Sequence, residues 1–208
     1  MRKPIQLFGL AALIALTTSC GNVVRQGRSP AYLVIDTLQA APGNKPSSLG
    51  SGLASDVIVL VTTPAPCSSA TPCPTIFGDV GQVELGSSLK DVGSTTNPVT
   101  PTTNNDITIT GYHVKYIRAD GHNTQGVDVP YEFDGAATGT VSVGGKLSLG
   151  FTLVRNVAKE ESPLVQLVSN PNIITAIAQV TFYGKDAVGN DVSVMGQIQV
   201  DFGNFGDS

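Results

Sequence analysis

Three sets of residues in this chain carry groups able to do chemistry: Cys20, Cys67 and Cys73; His113 and His122; and the carboxylates between Asp120 and Asp134. The histidines stand nine residues apart, and neither has a nucleophile placed beside it in a recognisable frame. GxSxG, HExxH, GxGxxG and CxxC are absent. Gly145-Lys146 runs into Leu147 without the upstream glycine of a phosphate loop. The acidic stretch runs from Arg118-Ala119-Asp120-Gly121-His122-Asn123, through Val127-Asp128, to Tyr131-Glu132-Phe133-Asp134-Gly135. Several carboxylates on one connection could serve calcium, a hard cation that gathers many oxygens. The spacing fits no EF-hand or repeat-toxin loop, and turns use Asp, Asn and Gly for their own backbone hydrogen bonds. The segment is therefore read as turns, and no catalytic residue, metal or cofactor is assigned. Asp186–Asp191 is likewise a hairpin turn first, and Lys159-Glu160-Glu161-Ser162-Pro163 a solvated connection.

The chain begins Met1-Arg2-Lys3 and then carries no charge from Pro4 to Ser19. Two cations, an apolar stretch and small residues before a cleavage point make a secretory signal peptide. The apolar run is shorter than the ~20 residues of a spanning helix. Leu16-Thr17-Thr18-Ser19-Cys20 resembles the lipobox of bacterial lipoproteins, in which the cysteine is diacylated and starts the mature protein. Leu16 sits four residues before the cysteine, and Thr17 takes the usual leucine position. The resemblance implies a signal peptide over 1–19, lipidation of Cys20 and a membrane anchor. Gly21, in place of the Asp that retains enterobacterial lipoproteins in the inner membrane, leans towards the outer one. Lipidating Cys20 leaves two cysteines of three. Cys67 and Cys73 flank a short, proline-rich loop, too widely spaced for CxxC and without a nearby histidine, so they are expected to form a local disulfide. Chain entropy assigns roughly 2–3 kcal/mol to closing so small a loop.

Of the twelve Lys+Arg, two lie in residues 1–19, leaving ten against sixteen Asp+Glu and a mature net charge of −6. That balance argues against nucleic acid and against a polybasic contact with anionic lipid. Charged residues are only 13% of the chain, and Gly and Pro number 23 and 13, a mixture that suits short strands joined by turns.

After a polar tether (20–29) comes a strand candidate, Ala31–Leu38, then a loop over Ala40–Ser55 rich in Gly, Pro and Ser. Val57–Val61 reads as a strand buried on both faces, and Val80–Leu85 as a weaker one. Residues 86–106 form a flexible surface loop. Ile107–Ala119 is a long strand whose apolar phase changes at Gly111, as a β-bulge would make it. Gly139–Val143 and Lys146–Arg155 follow, the second with Leu147, Leu149, Phe151 and Leu153 in clean alternation. Helical periodicity is confined to Ser162–Ser169. Ile173–Lys185 and Asp191–Phe202 make the best hairpin, with Gly189 where a bulged turn needs positive φ.

These strand lengths and intervals resemble immunoglobulin-like and fibronectin type III sandwiches over roughly Ile107–Phe202, without the tryptophan and inter-sheet cystine of antibody domains. The chain is also similar to a group of uncharacterised bacterial lipoproteins, through Val127–Gly135, Val180–Asp186 and Phe202–Gly206. The expected fold is all-β, an immunoglobulin-like β-sandwich spanning 30–206 as one domain with its core in 107–202. The expected function is that of a lipid-anchored cell-envelope protein, non-enzymatic, with a structural or protein-interaction role. The alternative is a surface module binding a glycan or calcium through Asp120–Asp134. Tyr131, Phe133 and Phe205 are the aromatics not at core-phase positions.

Overall fold

The computed structural model describes residues 27–206, so the expectations for the signal peptide, for Cys20 and for most of the tether fall outside the described residues. Within them the chain forms β1 (Ala31–Ala41), β2 (Gly52–Asp56), β3 (Val59–Val61), β4 (Cys73–Thr75), β5 (Asp79–Leu89), β6 (Ile107–Ile117), β7 (Phe133–Gly135), β8 (Gly139–Val141), β9 (Lys146–Val154), β10 (Ile174–Asp186) and β11 (Asp191–Gly203). One helical turn, α1 (Asn156–Lys159), and two 3-10 turns complete the described elements. One sheet has the order β1-β5-β9, a second has the order β2-β11-β10-β6-β7 with β8 also on β6, and β3 and β4 form a small third one. All pairs are antiparallel except β2, which lies parallel to β11. This is an immunoglobulin-like β-sandwich: β1, β5 and β9 take the places of strands A, B and E, facing G, F, C and C′ in β11, β10, β6 and β7.

The alternation that defines the strands is physical. On β6, Ile107 and Ile109 are buried, one extra residue enters before Gly111, and Tyr112, Val114 and Tyr116 then continue the buried face. The bulge moves an odd-numbered apolar set and an even-numbered one onto the same side. The β10–β11 hairpin pairs Phe182 with Val194 and Ala178 with Ile198, and turns at Gly189, whose φ of 89° a side chain would resist. Asp186 holds that turn, accepting from the N–H groups of Val188 and Asn190 and from the Asn190 amide. Burial pushes the Asp186 carboxyl up, but the bonds from Asn190, Ser29 and Val188 outweigh it and hold it low.

The core is aromatic at its centre. Phe151 of β9 meets Phe182 of β10 edge-on across the sandwich at 5.3 Å, and Tyr112 of β6 at 5.2 Å. Tyr116 packs on Phe202 at 5.7 Å. These rings do the filling that a tryptophan does in antibody domains. Gly81 permits it: a Cβ there would lie 2.3 Å from the Phe151 ring.

Tyr116 also ties the sheets covalently unlinked at this point, its hydroxyl donating to the Leu153 carbonyl. Burial, with Asp79 nearby, pushes its phenol well above the ordinary tyrosine range. A folded-state value raised above the unfolded one contributes stability in full below about pH 10 and loses it as pH rises further. Tyr116→Phe should therefore flatten the alkaline fall in stability, while costing about 1–3 kcal/mol at neutral pH for the orphaned carbonyl. Urea midpoints from pH 7 to 11 check both; parallel curves would contradict the assignment.

Several expectations need correction. Ala40–Ser55 is not all loop, because β1 runs to Ala41 and Gly52–Ser55 opens β2, where Leu53 and Ser55 face inwards. The Val57–Val61 run is not buried on both faces. Val57 and Val59 are buried, Leu60 is 46% exposed, and only Val59–Val61 pairs, with β4 in a small separate sheet. The supposedly weaker strand near Val80–Leu85 is β5, eleven residues long and the middle strand of its sheet. It claims 86–89 from the expected flexible loop. Ser162–Ser169 holds a 3-10 turn over Leu164–Val168. Ser29, placed at the end of the tether, is 1% exposed and joined to Asp186. Through β2 on β11 and β5 on β9, the N-terminal part lies within both sheets. Cys67 and Cys73 are joined in a disulfide, as their spacing suggested.

Candidate binding surface

The first half of the acidic stretch spends its oxygens on its own turns. Asp120 accepts from the Arg118 guanidinium and from the His122 N–H, and these bonds, the arginine's first, hold its carboxyl low. Asp128 accepts from the Thr124 N–H, and the Asn123 amide oxygen from the Arg118 N–H. Gly121 and Gly126 supply positive φ at 83° and 74°. This is turn chemistry, and among the described residues no group of three or more His, Cys, Asp or Glu is placed to hold a metal.

The structure separates the two histidines. His122 stays in the turn, 3.5 Å from Asp120. His113 lies on the outer face of β6, its Nδ1 2.9 Å from Asp134 and its Nε2 3.6 Å from Glu132. Cross-strand pairing of β6 with β7 sets Asp134 directly opposite His113. The sequence placed His113 on the solvent face but gave no sign of these partners, because β7 is only three residues long and sits inside a segment read as turns.

A buried ion pair went unseen as well. Lys159 and Asp79, each 1% exposed, meet at 2.8 Å. The Ser55 hydroxyl and the Gly43 N–H donate to Asp79 at 2.6 and 2.9 Å, and Lys159 donates onward to the Asp56 carbonyl at 2.8 Å. The solvated connection expected at Lys159-Glu160-Glu161 is thus corrected: α1 turns Ala158 and Lys159 inwards. Every group in the cluster has a partner, which is the condition under which a buried pair can persist. It clamps the segment after β1, the end of β2, the start of β5 and α1 together, and sets the position of Arg155 just before the helix.

Next to that clamp lies the outer edge of β9, the terminal strand of its sheet. The Tyr112 hydroxyl reaches across from β6 and accepts the Thr152 N–H at 3.1 Å. Alternate residues of a strand point their backbone groups the same way, so Gly150 and Ser148 present theirs on that side too, away from β5. A groove of about 500 Å³ crosses the sheet from Gly150–Thr152 of β9 over Val80–Gln82 of β5, bounded by Tyr112 and Ala136 and by Pro46 and Leu49. A second groove, about 370 Å³, shares Val80 and Thr152 with the first and ends at Arg155 and Asn156. The Arg155 guanidinium lies 4.6 Å from the centre of the Phe133 ring, a cation–π contact that fixes its place.

Comparison with protein-family models, curated proteins and solved structures finds nothing that matches this chain. Of the aromatics singled out in the sequence, Tyr131 is exposed and folds over Gly126, whereas Phe133, expected off the core face, packs partly buried against the core, edge-on to Tyr112 and under Arg155. Phe205 lies elsewhere, against Gly203, so the three form no single platform.

Proposed function

We propose that this chain is a lipid-anchored protein of the bacterial cell envelope, exported by residues 1–19 and acylated on Cys20, whose immunoglobulin-like sandwich acts as a non-enzymatic module for a protein partner. The observation that carries the reading is the charge-free stretch Pro4–Ser19 closing on Leu16-Thr17-Thr18-Ser19-Cys20. Gly21 favours the outer membrane as the site of the anchor. The interaction role draws on the open edge and grooves beside β9. A net charge of −6 after residue 19 speaks against nucleic acid as the partner.

Cys20→Ala should move the protein from the membrane fraction to the soluble fraction or leave it as an uncleaved precursor, with the folded domain unchanged in thermal unfolding. Retention of a cleaved Cys20→Ala protein in washed membranes would defeat the anchor.

A further inference from the structure

We infer that the end of the sandwich from which the tether leaves makes a second contact with the lipid bilayer, through Val92, Val99 and Val188, and so holds the domain upright on its anchor. The inference rests on the reading of Cys20 as the acylated residue, and adds to that reading a surface and an orientation.

Chain length supplies the first part. Six residues, 21–26, separate Cys20 from Gly27. Seven extended steps reach at most about 25 Å. Gly27 is fixed at one end of the sandwich. Its carbonyl accepts from the Lys90 ammonium, the Pro30 carbonyl accepts from the Lys90 N–H, and Ser29 is buried and bonded to Asp186. The start of β1, the end of β5 and the β10–β11 turn therefore meet at this end. The far end lies eleven residues along β1, about 35 Å further on. An anchor in the bilayer keeps the near end within reach of the lipid surface, and admits the far end only if the domain lies on its side.

Surface chemistry supplies the second part. Beyond β5 the chain makes a small hairpin, closed by the Val99 N–H on the Val92 carbonyl and by the pairing of Gly93 with Pro98. No charged residue occurs from 92 to 105. Val92 and Val99 are 68 and 48% exposed, and Val188, in the turn that Asp186 holds, is 64% exposed. Val165, in the 3-10 turn between β9 and β10 at the far end, is exposed as well, so exposure alone singles out nothing. Beside the anchor, however, exposed apolar side chains have a bilayer to enter. The charged residues around them are Arg28, Lys90 and Lys185 against Asp91, Asp106, Asp186 and Asp191, three cations to four carboxylates. The contact is thus apolar rather than ionic. It can be weak and still set the orientation, because the anchor already confines the domain and makes the second contact intramolecular.

The chain has no tryptophan, so one placed at a chosen site reports alone. The full acylated chain is reconstituted in vesicles of phosphatidylethanolamine and phosphatidylglycerol, with and without bromine on the acyl chains. Val188→Trp and Val99→Trp should lose emission to the brominated lipid. Val165→Trp at the far end and Met195→Trp on the exposed side of β11 should keep theirs. Adding Val92→Asp and Val188→Asp should restore the emission of Val99→Trp, since the contact is lost while the anchor stays. All these side chains are exposed, so the variants should keep the thermal midpoint of the parent. If protein that floats with the vesicles shows no quenching at Val188 and Val99, the inference is overturned and the anchor stands. Equal quenching at all four sites, or quenching that the aspartates do not relieve, overturns it in the same way. Protein that does not float with the vesicles would remove the anchor and the inference together.

Discussion

Asp79→Ala should destabilise the domain by about 3–5 kcal/mol, enough to remove much of the stability of an ordinary domain. The reason is not a lost attraction alone. Lys159 is 1% exposed, and without Asp79 its ammonium would remain in the interior with the Asp56 carbonyl as its remaining acceptor. The Gly43 N–H and Ser55 hydroxyl would lose their acceptor at the same time. A double variant, Asp79→Ala with Lys159→Met, should be more stable than Asp79→Ala alone, because no uncompensated charge stays buried. It should still fall short of the parent, since the two orphaned donors remain. Urea unfolding of the four proteins in the cycle measures the coupling directly. A single-variant cost below about 1 kcal/mol would mean that the pair is solvated in solution and that the clamp on the strands and α1 is not real.

Phe182→Ala should cost about 3–5 kcal/mol for a different reason, the cavity it leaves. Phe182 is fully buried on β10 and touches Phe151 from the opposite sheet and Tyr112 from the neighbouring strand. Removing its ring takes away one of the contacts through which the two sheets meet, and the flanking rings can collapse only in part. Phe182→Leu, which keeps most of the apolar volume, should recover more than half of the loss. Calorimetric or urea midpoints of the two variants test this; an alanine variant within about 1 kcal/mol of the parent would contradict a shared core between the sheets.

These two positions also mark the divide between what was legible in the sequence and what was not. Phe182 sits in a strand whose alternation, with Ala178 and Val180 on the same side, declares its inward face. The same logic made β6, β9 and the β10–β11 hairpin legible, including the bulge at Gly111, because each strand is long and one face of it must be apolar. The Asp79–Lys159 pair obeys no such rule. Both residues are charged, lie 80 positions apart and look like surface residues until β5 and α1 are brought together. β2 was obscured for a related reason: its inward Ser55 is buried in order to serve Asp79, so the strand lacks an apolar face. Arg155 read only as the end of a strand, since its contact with Phe133 of the other sheet exists only once both sheets have formed. The two histidines could be counted in the sequence, but the short β7 that sets Asp134 opposite His113 could not be seen there.

The anchor is the claim on which the functional account depends, and the mass of the mature N-terminal peptide tests it most directly. Protein extracted from membranes with detergent should give a peptide that begins at Cys20 and carries a diacylglyceryl group on its sulfur, with no peptide from residues 1–19. A peptide that begins at another residue, or one that begins at Cys20 with a free thiol, would contradict it.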